Sequence, residues 1–234
     1  MRILPIAIAA SLAFAMPSHA GIVFAYNSSN SADGIEATAT GLGVTASKLE
    51  RGSMLEQQAS LTFNSRNWLR QGNRDWAFLE GSYLTWGFES STGYDLDTLS
   101  FGYDSSSNGP KSLALDALIN GKWYRNLFSA SGLTHTGGLA LGIDLSAFEN
   151  VTSASFYLLG WDANKAKGTF DLEDTLADGS AVSLTGRPQE VASPSDMFAL
   201  RGLPPLPAVP LPAGMPLLLA GIGVFALLRR RARA

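Results

Sequence analysis

The chain has 234 residues, 46% of them hydrophobic, with 17 basic and 20 acidic side chains and no cysteine. Disulfides, thiolate metal sites, cysteine nucleophiles and iron–sulfur clusters are therefore excluded. Twelve of the basic residues and all the acidic ones lie between Gly21 and Ala208, a net charge of −8 for that stretch, which repels nucleic acid and anionic lipid.

The chain opens on Arg2, an apolar run over 3–16 and Ser18-His19-Ala20. A basic start, a short apolar core and small residues before the cut describe a signal peptide. Cleavage is expected between Ala20 and Gly21, giving a signal segment over 1–20. The run is too short for a membrane span, which needs about 20 apolar residues.

From Gly21 the chain is rich in Gly, Ser, Thr, Leu and aromatics, with turn signals every 8–12 residues. That spacing predicts an all-β sandwich or barrel. Strands are expected over 22–26, 34–40, 45–49, 58–63, 76–80, 82–89, 97–103, 112–119, 122–128, 138–145, 152–161, 168–176 and 181–184. Three are clear individually. Leu113, Leu115, Ala117 and Ile119 alternate with Ala114, Asp116 and Leu118, and Asn120-Gly121 then leads into Lys122-Trp123-Tyr124-Arg125. Asn-Gly between such runs is a strong hairpin signal, because a type I′ turn needs φ > 0 at both positions. Leu99, Phe101 and Tyr103 share one strand face. The run ASFYLLGW (154–161) suits a central strand buried on both faces. No segment has sustained helical periodicity; 49–59 has room for a helical turn or two. The body is expected over 21–186 as one antiparallel β-sandwich domain, with a Pro-containing linker over 187–208.

Histidine offers little chemistry. His19 leaves with the signal, and His135 sits in a turn-rich stretch with no Gly-x-Ser-x-Gly elbow. Glu80 with Glu89, or Asp95 with Asp97, are candidate carboxylate pairs for a glycan-active enzyme. Calcium is the other use of acid, since it takes six to eight oxygens from irregular loops. Asp171, Glu173, Asp174 and Asp178 fall within eight residues and are the candidate ligands, with Asp33 or Glu36 joining if the first and last strands pair. Trp68, Trp76, Trp86, Trp123 and Trp161 are candidates for a sugar-stacking face, most of them expected in the core. Trp68 lies in the polar loop 64–74 with three arginines and is the one expected to be exposed, as a ligand-binding residue.

The segment 203–212, LPPLPAVPLP, holds five prolines in ten residues and reads as a stiff extended spacer. An uncharged run over 213–228 follows, then Arg229, Arg230, Arg231 and Arg233. The run is at the short end for a spanning helix, and the arginines would stay cytoplasmic.

Val209, Pro210, Leu211, Pro212 and Ala213, then a short apolar helix and an arginine cap, closely resemble the VPLPA variant of the PEP-CTERM sorting signal. That resemblance implies a sorting tail over 209–234. It implies recognition and cleavage by an exosortase-type membrane protease after signal peptidase has acted, and a transient anchor in the inner membrane of a Gram-negative bacterium. Delivery to the cell surface or an exopolysaccharide matrix would follow. The pieces YDLDTLSF (94–101), SSNGPKSLAL (106–115), ASFYLLGW (154–161) and GTFDLED (168–174) resemble the body domain common in that family. They imply a jelly-roll-like sandwich in which Glu173 and Asp174 stand where an acidic pair ends a late strand. Two readings follow. One is a non-enzymatic surface or matrix protein whose body contacts polysaccharide, with no required cofactor. The other is a secreted glycan-active enzyme using two carboxylates. A plain scaffold is not separable from the first on sequence.

Overall fold

The structure, a computed structural model, describes residues 20–133 and 136–189, with backbone alone for 136–140. Residues 1–19 of the signal segment, His135, the sorting motif and the arginine cap lie outside the described residues. Strands run in the order β1 (Gly21–Tyr26), β2 (Ala39–Thr40), β3 (Val44–Ala46), β4 (Glu50–Arg51), β5 (Glu56–Gln57) and β6 (Phe63–Arg66). One helix follows, α1 (Arg74–Glu80). Then come β7 (Tyr83–Ser105), β8 (Ser112–Ile119), β9 (Lys122–Ser131), β10 (Thr136–Asp144), β11 (Val151–Trp161), β12 (Phe170–Leu172) and β13 (Val182–Pro188). The pairings between these strands are antiparallel.

The 23-residue β7 organises the molecule. Its first half pairs with β11 on one edge and with β3 and β4 on the other; β11 continues to β8 and β9. Its second half pairs with β13, β10 and β12, and β13 continues to β1 and β2. One strand thus belongs to two layers. Phe24 of β1 meets Phe88 of β7 and Phe156 of β11 at ring distances of 6.0 and 6.3 Å, so the layers face each other over a shared core. Trp86, Leu115, Leu158, Phe101 and Leu184 fill it. The body is an antiparallel β-sandwich, as its alternation predicts.

The hairpin of β8 and β9 turns at Asn120 and Gly121, with φ of 47° and 75°, as the dipeptide requires. Three expectations fail in physical detail. The strands expected over 82–89 and 97–103 are one strand, because the segment between them stays paired: Tyr94 lies opposite both Val151 and Pro188. The segment 76–80 is helical, not extended. Asn73 accepts a hydrogen bond from the Trp76 amide at 3.1 Å, and Gly81 closes α1 in the left-handed region at φ 80°. The segment 49–59 holds β4, a turn and β5 rather than helical turns. β1 begins at Gly21, the residue after the expected cut, while Ala20 is exposed. β13 runs through Pro188, two residues past the expected end of the body.

Candidate functional site

The outer face of the first layer is not bare. Tyr83, Tyr157, Leu159 and Trp161 project there, and α1 lies over them, burying Ala77 and Leu69 in a second, smaller apolar cluster. Phe78 of α1 stacks on Tyr83 at 5.7 Å and meets Tyr157 and Trp123 edge-on at 5.4 Å each. Burial first, then the neighbouring Tyr83, pushes the Tyr157 phenol up, so it keeps its proton at neutral pH.

Between α1 and β9 this arrangement leaves a pocket of about 280 Å³, lined by Asp75, Phe78, Leu79, Asp116, Trp123 and Arg125. Asp75, Phe78 and Leu79 stand at i, i+3 and i+4 and so share one face of α1. Trp123 and Arg125 alternate onto one side of β9. Leu79 and Trp123 remain 80% and 43% exposed, so the pocket presents apolar surface to solvent.

A chain of charges forms the polar side of the pocket. Arg125 Nη1 donates to Asp75 Oδ1 at 3.0 Å, Arg74 Nη2 donates to the same oxygen at 3.2 Å, and Arg74 Nε lies 3.8 Å from Asp116 Oδ2. Asp116 is buried on β8, and its Oδ1 accepts from the Asn126 amide at 2.7 Å. At this point β9 carries a bulge: Leu115 pairs with Phe128 but Ala117 with Tyr124, and Asn126 has φ 60°. A bulge beside a pocket re-aims the side chains around it.

The residues named from sequence are distributed differently. Trp68 is fully buried, not exposed: its indole N–H donates to the Ser65 carbonyl at 2.9 Å and its ring packs edge-on against Phe170. It has no free face for a ligand. Loop 64–74 is polar in composition, but β6 pairs with β12 and draws its start into the sheet. The four acids do not converge. Asp174 Oδ1 accepts from the Ser28 amide, and Asp178 Oδ1 from the Ser180 amide and hydroxyl. Asp171 faces Asp104 across β7 and interacts with Glu173. As named, they do not fit one calcium sphere, and among the described residues no three acidic or imidazole side chains form a group able to hold a metal. Glu36 pairs with Lys48 rather than joining them. Asp95 Oδ1 is held by the Asn150 amide and by Gln189. Glu89 lines a shallow depression with Thr45, Leu118 and Ser153, whereas Glu80 ends α1. The six pocket residues were not grouped by the sequence; the signal for them was the Asn73–Gly81 cap pair, which would have set 75, 78 and 79 on one helical face.

No family model matches the chain, and no curated protein matches it. Among solved structures it is similar to the F5/8 type C domain of a Bacteroides fragilis protein, at 10% identity. That match covers 62% of this chain and 91% of the other, with a TM-score of 0.33.

Proposed function

We propose that this chain is an exported, non-enzymatic protein of the bacterial cell surface or extracellular matrix, whose jelly-roll-like body binds polysaccharide in the pocket between α1 and β9. The observation that carries the reading is Trp123, whose ring stands partly bare beside the Asp75–Arg125 ion pair. The C–H face of a sugar ring is apolar and lies against an aromatic face, while its hydroxyls need donors and acceptors at the edge. The pocket offers both. The acidic body disfavours nucleic acid as a partner. Export rests on sequence: the expected signal cut between Ala20 and Gly21, the Val209–Ala213 motif, and Arg229, Arg230, Arg231 and Arg233. Signal peptidase, an exosortase-type protease and, transiently, the inner membrane are the partners that follow.

A glycan-active enzyme is the second reading, favoured by two carboxylates in one pocket, Asp75 and Asp116. Both are engaged structurally, one by two guanidiniums and the other by the bulge amide, which argues for binding over proton transfer. Affinity electrophoresis of the mature protein through gels containing the producer's exopolysaccharide tests the binding reading. Retardation that Trp123→Ala abolishes is expected. Release of reducing ends from that polysaccharide, lost in Asp75→Asn, would establish the enzyme instead.

A further inference from the structure

We infer that the pocket between α1 and β9 takes a single neutral sugar ring, and that it discriminates against sugars carrying carboxylates. The inference rests on the polysaccharide-binding reading and deepens it. Its first ground is charge balance. Two cations and two anions meet at the pocket, Arg74 and Arg125 with Asp75 and Asp116, and each guanidinium lies beside a carboxylate. A uronate carboxylate entering there would approach Asp75, and would meet in Arg125 a guanidinium whose charge Asp75 already balances. Like charges brought together in a partly desolvated site oppose binding.

The second ground is the atoms left over. Among the described residues, Arg125 uses Nη1 on Asp75 and engages nothing with Nη2 or Nε, while Asp75 engages nothing with Oδ2. A donor edge and an acceptor oxygen thus stand side by side at the rim. A hydroxyl is both donor and acceptor, so two neighbouring hydroxyls of one ring satisfy both groups at once. A carboxylate can only accept. The third ground is size: about 280 Å³ lies at the lower limit of small-molecule pockets, roughly 300–1,000 Å³, which suits one ring against Trp123 and Leu79 rather than an extended chain.

The experiment titrates the mature protein with neutral gluco-, galacto- and manno-oligosaccharides and with oligogalacturonate and alginate oligomers of equal length, by calorimetry at low and high NaCl. The expected result is saturable binding of at least one neutral series, flat with salt, and uronate binding at least about tenfold weaker, equivalent to ~1.4 kcal/mol. Trp123→Ala and, separately, the rim variant Arg125→Gln should each weaken the neutral ligand about tenfold or more, with thermal melts confirming that both variants fold. Arg125→Gln is the safer variant, since Arg125 is largely exposed. Tighter binding of uronates, weakening as salt rises, would overturn the inference and leave the polysaccharide reading standing. Neutral binding that neither variant alters would overturn the assignment to this pocket. No binding of any series, or of the native polysaccharide, would remove the polysaccharide reading itself.

Discussion

Asp116 accepts a hydrogen bond from the backbone amide of Asn126 at 2.7 Å, across the bulge in β9. A buried carboxylate on one strand thereby fixes an irregular stretch of its neighbour, in which Asn126 adopts a left-handed conformation. Arg125 precedes it and reaches Asp75 on α1. The pocket therefore depends on a residue whose oxygens are occupied before any ligand arrives.

Asp116→Ala should remove a hydrogen bond to a charged group and leave the bulge amide without its acceptor. A loss of about 2 kcal/mol is expected in urea denaturation. Affinity for polysaccharide should fall with it, because Arg125 loses its set position. Asp116→Asn keeps an acceptor oxygen and should cost less. Equal stability of wild type and Asp116→Ala would show that the bulge stands without this contact.

Trp68 packs over Gly160 of β11. A Cβ at that position would sit 2.6–2.7 Å from the indole ring. Gly160→Ala should therefore force the buried tryptophan aside, at about 1–3 kcal/mol. Urea unfolding measures the loss, and unchanged stability would place Trp68 elsewhere in solution.

Asp171 is held at a pKa of about 6, chiefly by burial, with the negative charges of Asp104 and Glu173 adding to it and the Thr62 hydroxyl opposing. Its proton is bound more tightly in the folded chain than in the unfolded one, where the ordinary value is 3.8. The stabilisation from that proton is present at acid pH and is lost as pH rises from about 4 through about 6. Asn64 faces Asp171 across β6 and β12, with its buried Oδ1 lacking a hydrogen-bond partner. Asp171→Asn removes the charge and supplies an amide donor beside that oxygen. The variant should melt above wild type at pH 8 and lose most of that advantage at pH 4. Calorimetric melting at the two pH values decides it; a variant less stable at both would contradict the account.

Two of the five tryptophans are large exposed apolar side chains, Trp76 at 58% and Trp123, while Trp68 and Trp86 are buried. Acrylamide should quench a fraction of the fluorescence matching the exposed pair. Saturating sugar should protect the part that Trp123→Ala removes. Protection that persists in that variant would move the site away from β9.

The sandwich was legible because its signals are local. Alternation in 112–119, the Asn120-Gly121 turn and the apolar run of β11 each imply their structure within ten residues. The bend of β7 was not legible: whether Gly93 and Tyr94 break a strand or carry it between layers depends on β11 and β13, which arrive from distant sequence. The pocket was hidden for a related reason. The apolar content of α1 reads as a short strand unless Asn73 and Gly81 are weighed as caps. The acids of 171–178 were adjacent in sequence, but the Thr62 hydroxyl and the Ser28 amide, both from distant sequence, take Asp171 and Asp174, and a local turn takes Asp178. Trp68 shows the limit of composition, since a polar loop still delivered its one large ring into the core.

The most direct test of the account is the intact mass and distribution of the protein in its native host, wild type beside Trp123→Ala, across inner membrane, matrix and medium. The account predicts a wild-type form beginning at Gly21, lacking the mass of the 213–228 run and the arginine cap, and held in the matrix. The Trp123→Ala form should carry the same mass and appear in the medium. Wild-type protein remaining in the inner membrane with Arg229–Ala234 attached, or both forms held equally in the matrix, would contradict it.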